Sequence, residues 1–249
     1  MGKSVGLSFR DFRVLISILA EESAVLKQRS PILLKILNKL EAVLVLFIKE
    51  KNRSFKINFL CWPHFFITFV KINIMDFSIQ PILESHKVRL VPLQESDFER
   101  LYQVASDPLV WEQHPNKNRF QRDIFRNFFD GAMISEGAFI IIDKVSNEVA
   151  GSTRFYSYDE DENSIFIGYT FYGRKFWGGQ LNPIVKKMML DYIFQYVDLV
   201  KFHVGAENWR SRKAMEKLGA EFKGEVMVAY HGEPTKQNVE YWIKKENWK

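Results

Sequence analysis

Two separated runs of the sequence carry residue types and spacings that suit chemistry. The first is Arg174-Lys175-Phe176-Trp177-Gly178-Gly179-Gln180-Leu181-Asn182-Pro183, which follows an apolar alternating stretch and opens an amphipathic one. A strand that feeds a glycine-containing turn and then a helix makes an anion site, because free backbone N–H groups and the positive helix end converge there. Gly178 and Gly179 let the backbone approach a ligand, and Arg174 and Lys175 place positive charge at the mouth. Asn182 as cap and Pro183 at the first helical position start the helix. The same residues also fit a plain strand-turn-helix connection with nothing bound. No strand is followed by Gly-x-Gly-x-x-Gly, and no Gly-x-x-x-x-Gly-Lys-Ser occurs, so nucleotide cradles of those kinds are excluded.

The second run extends from Val204 through Asn208-Trp209-Arg210-Ser211 to Glu216-Lys217-Leu218-Gly219-Ala220. Asn208 suits a helix cap and Ser211 a first helical turn, with Gly219 at the far end where positive φ is favoured. Just upstream, His203 has an unperturbed pKa of ~6.5, within reach of general-base work at neutral pH. Strand parity separates it from Phe202 and Val204. It fits a structural or surface histidine as readily. Trp111, Glu112 and His114 could hold an amine by aromatic face and charge, or form a packed loop. The carboxylate run Asp159 to Glu162 reads as a solvated hairpin tip.

These residues need a scaffold, and periodicity supplies one. Lys87 to Leu93 alternates as a short strand. Ser96-Asp97-Phe98-Glu99 is a capping box for a helix that puts Phe98, Leu101, Tyr102 and Ala105 on one face before Asp107-Pro108. Arg119 to Ser135 predicts a second helix. Strands at Ala138 to Asp143, Val149 to Tyr158 and Ser164 to Tyr172 are joined tightly enough for antiparallel hairpins. The third helix, from Asn182, presents Ile184, Met188, Tyr192 and Tyr196 inward. Lys201 to Val204 is a fifth strand, reached by a helical crossover and so parallel to the fourth. Ser211 to Leu218 is a fourth helix, and Glu225 to Tyr230 with Asn238 to Ile243 closes the chain as a hairpin.

Charge divides the chain in two. Residues 1–74 hold 12 Lys plus Arg and 5 Asp plus Glu, and residues 75–249 hold 23 and 25, so the overall net charge of +5 belongs wholly to the first third. The remainder, at net −2, offers no overall basic face for nucleic acid. The first third also holds 8 of the 22 Phe and the lone Cys61. One cysteine excludes an intramolecular disulfide framework and a multi-thiolate metal cluster, and no metal is expected. Pro31 to Ile48 is interrupted by Lys35, Lys39 and Glu41, and Ile57 to Val70 by Asn58, Pro63 and His64. Neither makes the ~20 apolar residues of a membrane span. Residues 1–74 thus read either as a basic appendage that touches a membrane surface or a partner, or as an over-long reading frame ahead of a natural start at Met75; the second is favoured.

The two chemical runs together resemble the GNAT N-acetyltransferases, and within them the branch similar to ribosomal-protein N-acetyltransferases. The order of elements from His86 to Trp248 agrees with that family. The resemblance implies an α/β fold: a mixed, mostly antiparallel central sheet with helices on both faces and a splay between the fourth and fifth strands, occupying residues 75–249. It implies acetyl-CoA as co-substrate, with pantetheine in the splay and pyrophosphate on the N–H groups from Trp177 to Asn182. The cofactor residues it carries over are Phe171, Arg174, Lys175, Trp177, Gly178, Gly179, Gln180, Leu181, Asn182 and Asn208. Asn208 would hydrogen-bond the pantetheine arm or order the splayed turn, and Ser211 would protonate the leaving thiolate. Backbone N–H groups around Thr170 and Phe171 would polarise the thioester carbonyl.

His203 stands where some protein α-amine acetyltransferases have a glutamate. The acceptor is then a primary amine, on a protein N-terminus or a small molecule, in a cytoplasmic protein, with Trp111, Glu112 and His114 at the substrate rim. Two departures mark this chain. Gln180 adds a side chain in the anion loop, and Phe166 replaces a glutamate that relatives often use as base. Both motivate an alternative reading as a non-catalytic CoA-binding regulatory module. For the N-terminal third, intact mass of the native protein is the check: the expected species begins at Met75, and one beginning at Met1 refutes the over-long frame.

Overall fold

Alternating apolar residues after position 82 pair into one eight-stranded sheet. The computed structural model describes residues 77–249 and three short upstream strands, Ser4–Val5 (β1), Phe55–Asn58 (β2) and Lys71–Ile74 (β3). The chain divides into two units, Met1–Ser78 and Ile79–Lys249. In the first, β1, β2 and β3 form an antiparallel sheet in that order. The apolar stretch Pro31 to Ile48, most of Ile57 to Val70, Cys61 and the junction at Met75 lie outside the described residues.

In the second unit the strands are Leu83–Glu84 (β4), Val88–Pro92 (β5), Ala138–Asp143 (β6), Glu148–Asp159 (β7), Ser164–Tyr172 (β8), Leu199–Gly205 (β9), Glu221–Val228 (β10) and Lys236–Lys244 (β11). The helices are Phe98–Ala105 (α1), Arg122–Ile134 (α2), Leu181–Ile193 (α3) and Trp209–Lys217 (α4). The sheet order is β10-β11-β9-β8-β7-β6-β5-β4. Every neighbouring pair is antiparallel except β8 and β9. Those two pair only at Ser164–Leu199, Ile165–Val200 and Phe166–Lys201. Beyond that point β8 continues to Tyr172 and β9 to Gly205 with no further pairing, which is the splay expected between the fourth and fifth strands.

Successive residues of a strand face opposite sides of the sheet, and β7 shows helices on both. Arg154 donates from Nη1 to the Gly131 carbonyl of α2 at 2.9 Å, whereas its neighbour Thr153 touches Met189 of α3. The α1–α2 side holds the aromatic core: Phe98, Phe125, Phe128, Phe129, Trp111 and Phe171 are all buried there. On the other side α3 buries Leu181, Val185, Met189, Leu190 and Ile193.

Three local expectations need correction. The inward stripe of α3 runs through Val185 and Met189, one residue away from Ile184, Met188 and Tyr192, and Tyr196 lies past the helix end and is exposed. Apolar residues occupy adjacent positions around this helix, so period alone fits two stripes equally. Helix α3 also begins at Leu181 with Gln180 at its cap, so Asn182 and Pro183 sit inside its first turn. Ahead of α1, the capping box is Gln94 with Asp97, whose carboxylate accepts from the Gln94 N–H at 2.9 Å; it opens the 3-10 turn Glu95–Asp97 that leads into the helix, two residues ahead of Ser96 and Glu99.

Sheet closure at the splay relies on one bare backbone. A Cβ on Gly151 would stand 1.9 Å from the Phe171 carbonyl oxygen, where β7 crosses the end of β8. Gly151→Ala should lower stability by roughly 2–4 kcal/mol, since neighbouring backbone must shift. Urea denaturation with an unchanged m-value is the check.

Candidate active site

The splay is bounded on one side by a bulge in β8. Ser152 pairs with Phe171 and Arg154 with Gly168, so Thr153 alone stands opposite both Tyr169 and Thr170. Tyr169 has φ 53°, an uncommon conformation for a residue with a side chain. Thr170 Oγ1 lies 2.8 Å from Thr153 Oγ1 and receives a 2.7 Å hydrogen bond from Lys186 Nζ. Lys186 is a buried lysine on α3, 3% exposed, and burial alone lowers its pKa to about 7.

The anion loop follows β8. Arg174–Phe176 form one 3-10 turn, Gly178 adopts φ +70° with open space where a Cβ would be, and Gly179 leads to Gln180 at the cap of α3. Arg174 is bonded to Asp107, and Lys175 lies 2.5 Å from Glu148; both pairs are exposed at the mouth. Trp177 donates from Nε1 to the Tyr172 carbonyl at 2.9 Å, and the Arg210 guanidinium stacks 3.8 Å above its ring. The two sequence runs therefore meet in space, one from each side of the splay. Across from the loop, Asn208 caps α4: its Oδ1 accepts from the Ser211 N–H at 3.1 Å. Ser211 is half-buried in the first turn.

The segment from Trp111 to Pro115 is divided among several tasks. Trp111 is buried, donates to the Ala105 carbonyl at 2.7 Å and packs 4.9 Å from Phe171, so it forms core beneath the site. Glu112 is exposed and lies 3.6 Å from Arg210. His114 Nδ1 accepts from the Asn116 N–H at 2.9 Å, and the Arg119 guanidinium stands 3.1 Å from Nε2. Burial and that cation hold its pKa well below the usual imidazole range, so it stays neutral.

Arg119 is itself buried and grips Glu233, in the turn between β10 and β11, through Nε at 2.8 Å and Nη2 at 2.7 Å. The connection that follows Trp111, Glu112 and His114 is thus joined to the β10–β11 turn by a buried ion pair. A cavity of about 410 Å3 opens beside it, lined by Asn116, Asn118, Asn127, Glu233 and Lys236 among others.

On this same side of the sheet an aromatic track runs from Tyr230 through Tyr169 and Tyr156 to Phe166, with ring centroids 5.3, 5.0 and 5.2 Å apart in turn. It ends on His203, whose ring is 4.5 Å from Phe166. His203 Nε2 lies 2.9 Å from Glu240 Oε2, and Trp242 Nε1 donates to Glu240 Oε1 at 2.6 Å. A carboxylate only accepts, so the imidazole proton sits on Nε2 and the lone pair on Nδ1. Nδ1 is buried and has no hydrogen-bond partner among the described residues. Desolvation pulls the His203 pKa below its ordinary value, with the Lys201 cation acting the same way and Glu240 opposing both.

Of the candidates from sequence, Glu112 joins the anion loop and α4 through Arg210, His114 packs by Arg119 and Tyr230, His203 stands on β9 beside Phe166, and Trp111 and Phe171 are core. Glu240, Arg210, Lys186 and the Arg119–Glu233 pair were not singled out as site residues. Glu240 was legible only through cross-strand register, since it stands directly opposite His203.

A family model described as an acetyltransferase (GNAT) domain matches residues 87–221, and the chain belongs to that family. It is therefore an acetyl-CoA-dependent N-acetyltransferase. Among solved structures, a GCN5-related N-acetyltransferase from Brucella melitensis is 23% identical, with a TM-score of 0.59 over 68% of this chain and 80% of that one. A ribosomal L7/L12 α-N-protein acetyltransferase in complex with coenzyme A is 14% identical, with a TM-score of 0.55 over 67% of this chain and 99% of that one. A microcin C7 self-immunity acetyltransferase in complex with acetyl-CoA and AMP is 13% identical, with a TM-score of 0.53 over 64% and 93%. No curated protein matches the sequence. No helix among the described residues is long and apolar enough to cross a membrane.

The buried Arg119–Glu233 ion pair gives a direct test. Glu233→Ala leaves Arg119 as an uncompensated buried cation and should cost about 3–5 kcal/mol, while the double variant Arg119→Met/Glu233→Met recovers most of it. Chemical denaturation of the two variants distinguishes the outcomes.

Proposed function

We propose that acetyl is transferred to a primary amine by direct attack on the acetyl-CoA thioester, with His203 as general base and Glu240 orienting it. The observation that carries this reading is the buried, partnerless Nδ1 of a histidine two residues past the point where β8 and β9 part. An orphaned buried acceptor is costly to keep, and a proton brought by an incoming amine satisfies it. Phe166 stands beside it, so His203 supplies from β9 what a glutamate supplies from β8 in relatives. Nδ1 is covered in this conformation, with the Phe166 ring 4.5 Å from the imidazole.

The remaining assignments follow the geometry of the splay. The pantetheine arm lies between the unpaired ends of β8 and β9, and the pyrophosphate lies on the turn from Trp177 to Asn182. That turn offers Gly178, Gly179 and the start of α3, with Arg174 and Lys175 at the mouth and Leu181 anchoring the helix in the core. Phe171 contributes backbone, since its ring is committed to the core. Asn208, its Oδ1 already used, offers its amide nitrogen to the arm. N–H groups of the β8 bulge polarise the thioester carbonyl. As the amine nitrogen bonds to the carbonyl carbon and the C–S bond breaks, His203 takes a proton from the amine. Ser211 returns one to the thiolate, directly or through water.

The rim is formed by Glu112, the neutral His114 and the β10–β11 turn. The acceptor is a protein N-terminus or a small primary amine, and a cytoplasmic site, where acetyl-CoA is at hand, suits the reaction.

Turnover of acetyl-CoA with a thiol reagent over an amine panel identifies the acceptor class. In wild type, kcat/KM should rise with pH through an ionisation below ~6.5, because the base must be neutral. His203→Ala should lower kcat by about 10²–10⁴-fold and abolish that limb. Glu240→Gln should move the limb to still lower pH, since the carboxylate raises the His203 pKa. An unchanged pH–rate profile in His203→Ala removes it from the mechanism.

A further inference from the structure

Among the buried titratable groups that the proposed chemistry leaves unused, one is a lysine bonded to the β8 bulge. Lys186 sits in the second turn of α3, the helix whose N-terminus forms the anion loop, and its side chain points into the sheet. A lysine so deep needs a reason, because an amine removed from water is costly unless its hydrogen bonds are replaced. Its partners are hydroxyls only: Thr170 Oγ1 of β8 at 2.7 Å and Thr153 Oγ1 of β7 at 3.4 Å, with the Met189 sulfur of its own helix 3.7 Å from Thr153 Oγ1. Burial is the sole cause of its shift, so no neighbouring carboxylate, cation or phenol biases it. Thr170 is one of the two bulge residues standing opposite Thr153.

We propose that Lys186 is a positioning residue for acetyl transfer: it holds Thr170, and through Thr170 the β8 bulge, against the thioester carbonyl, and as an ammonium it places positive charge behind the developing oxyanion. The helix that receives the pyrophosphate is thereby tied to the strand that receives the carbonyl by one side chain. Preorganised positive charge behind such an oxygen is worth far more in a water-poor site than in solvent. Methionine would fill the same space with neither the bond nor the charge. The inference rests on acetyl transfer at the splay and is independent of His203 as base.

The test reads the carbonyl directly and needs no acceptor. Carbonyl-labelled acetyl-CoA is bound to the full chain, and its C=O stretch is recorded by difference infrared spectroscopy. Wild type should show a red shift relative to free acetyl-CoA that deepens as pH falls through the lysine ionisation. Lys186→Met should bind coenzyme A within about threefold of wild type and lose most of the red shift and its pH dependence, with kcat on an active amine lowered roughly tenfold or more.

Thr170→Val, which leaves the lysine in place, should lose the shift as well, and Thr170→Ser should keep it. This pair decides the question if Lys186→Met does not fold. A folded Lys186→Met or Thr170→Val with the wild-type frequency overturns the proposal, as does a frequency that is flat with pH in wild type. Absence of acetyl-CoA binding by wild type overturns it together with the reading of the splay. Loss of activity in His203→Ala alone bears only on the base.

Discussion

The parallel pairing of β8 with β9 lasts three residue pairs and then stops, and the rest of the site depends on that failure. Hydrogen-bonding groups along Ile167–Tyr172 and Phe202–Gly205 are left for something other than the neighbouring strand. Backbone groups of a strand need partners, so the gap leaves an open edge on each of the two strands. What keeps it open is local. The bulge at Tyr169 and Thr170 rotates β8 out of register, and Pro115 packs against Gly205 where β9 ends. The ends of both strands then lead directly into the two chemical segments, which meet again through Arg210 and Trp177.

The α1–α2 side of the sheet is unusual for the charge it hides. Arg119 and Arg154 are both at most 3% exposed, and only Arg119 has a carboxylate partner. Arg154 is compensated by α2 carbonyls and by the Tyr169 ring, 3.7 Å from its guanidinium. This uses the negative end of a helix and an aromatic face in place of an acid.

Much of the architecture was legible because alternation and turn chemistry are local. The bounds of β6 and β8 follow from sequence residue for residue, and the parallel crossover into β9 follows from the length of the intervening helix. What escaped was decided at longer range. The inner face of α3 could not be chosen by period, because Ile184 and Val185, and Met188 and Met189, put apolar residues side by side; hydropathy also sends a lysine outward, whereas Lys186 is buried. Glu240 became visible only when β11 entered between β9 and β10. By type Trp111 suits a substrate contact, since an aromatic beside Glu112 fits an amine; its indole N–H, tied to Ala105, makes it core. The pairing of Arg119 with Glu233 spans 114 residues, beyond the reach of any motif.

That span has a bearing on how the protein is made. Strand β11, near the C-terminus, is the one inserted between β9 and β10, and the turn just before it carries the sole carboxylate that neutralises Arg119 among the described residues. During synthesis the helices and the first six strands of this unit emerge with that guanidinium unpaired and the edge of β9 bare. The eight-stranded sheet is therefore complete only once β11 has taken its place between β9 and β10.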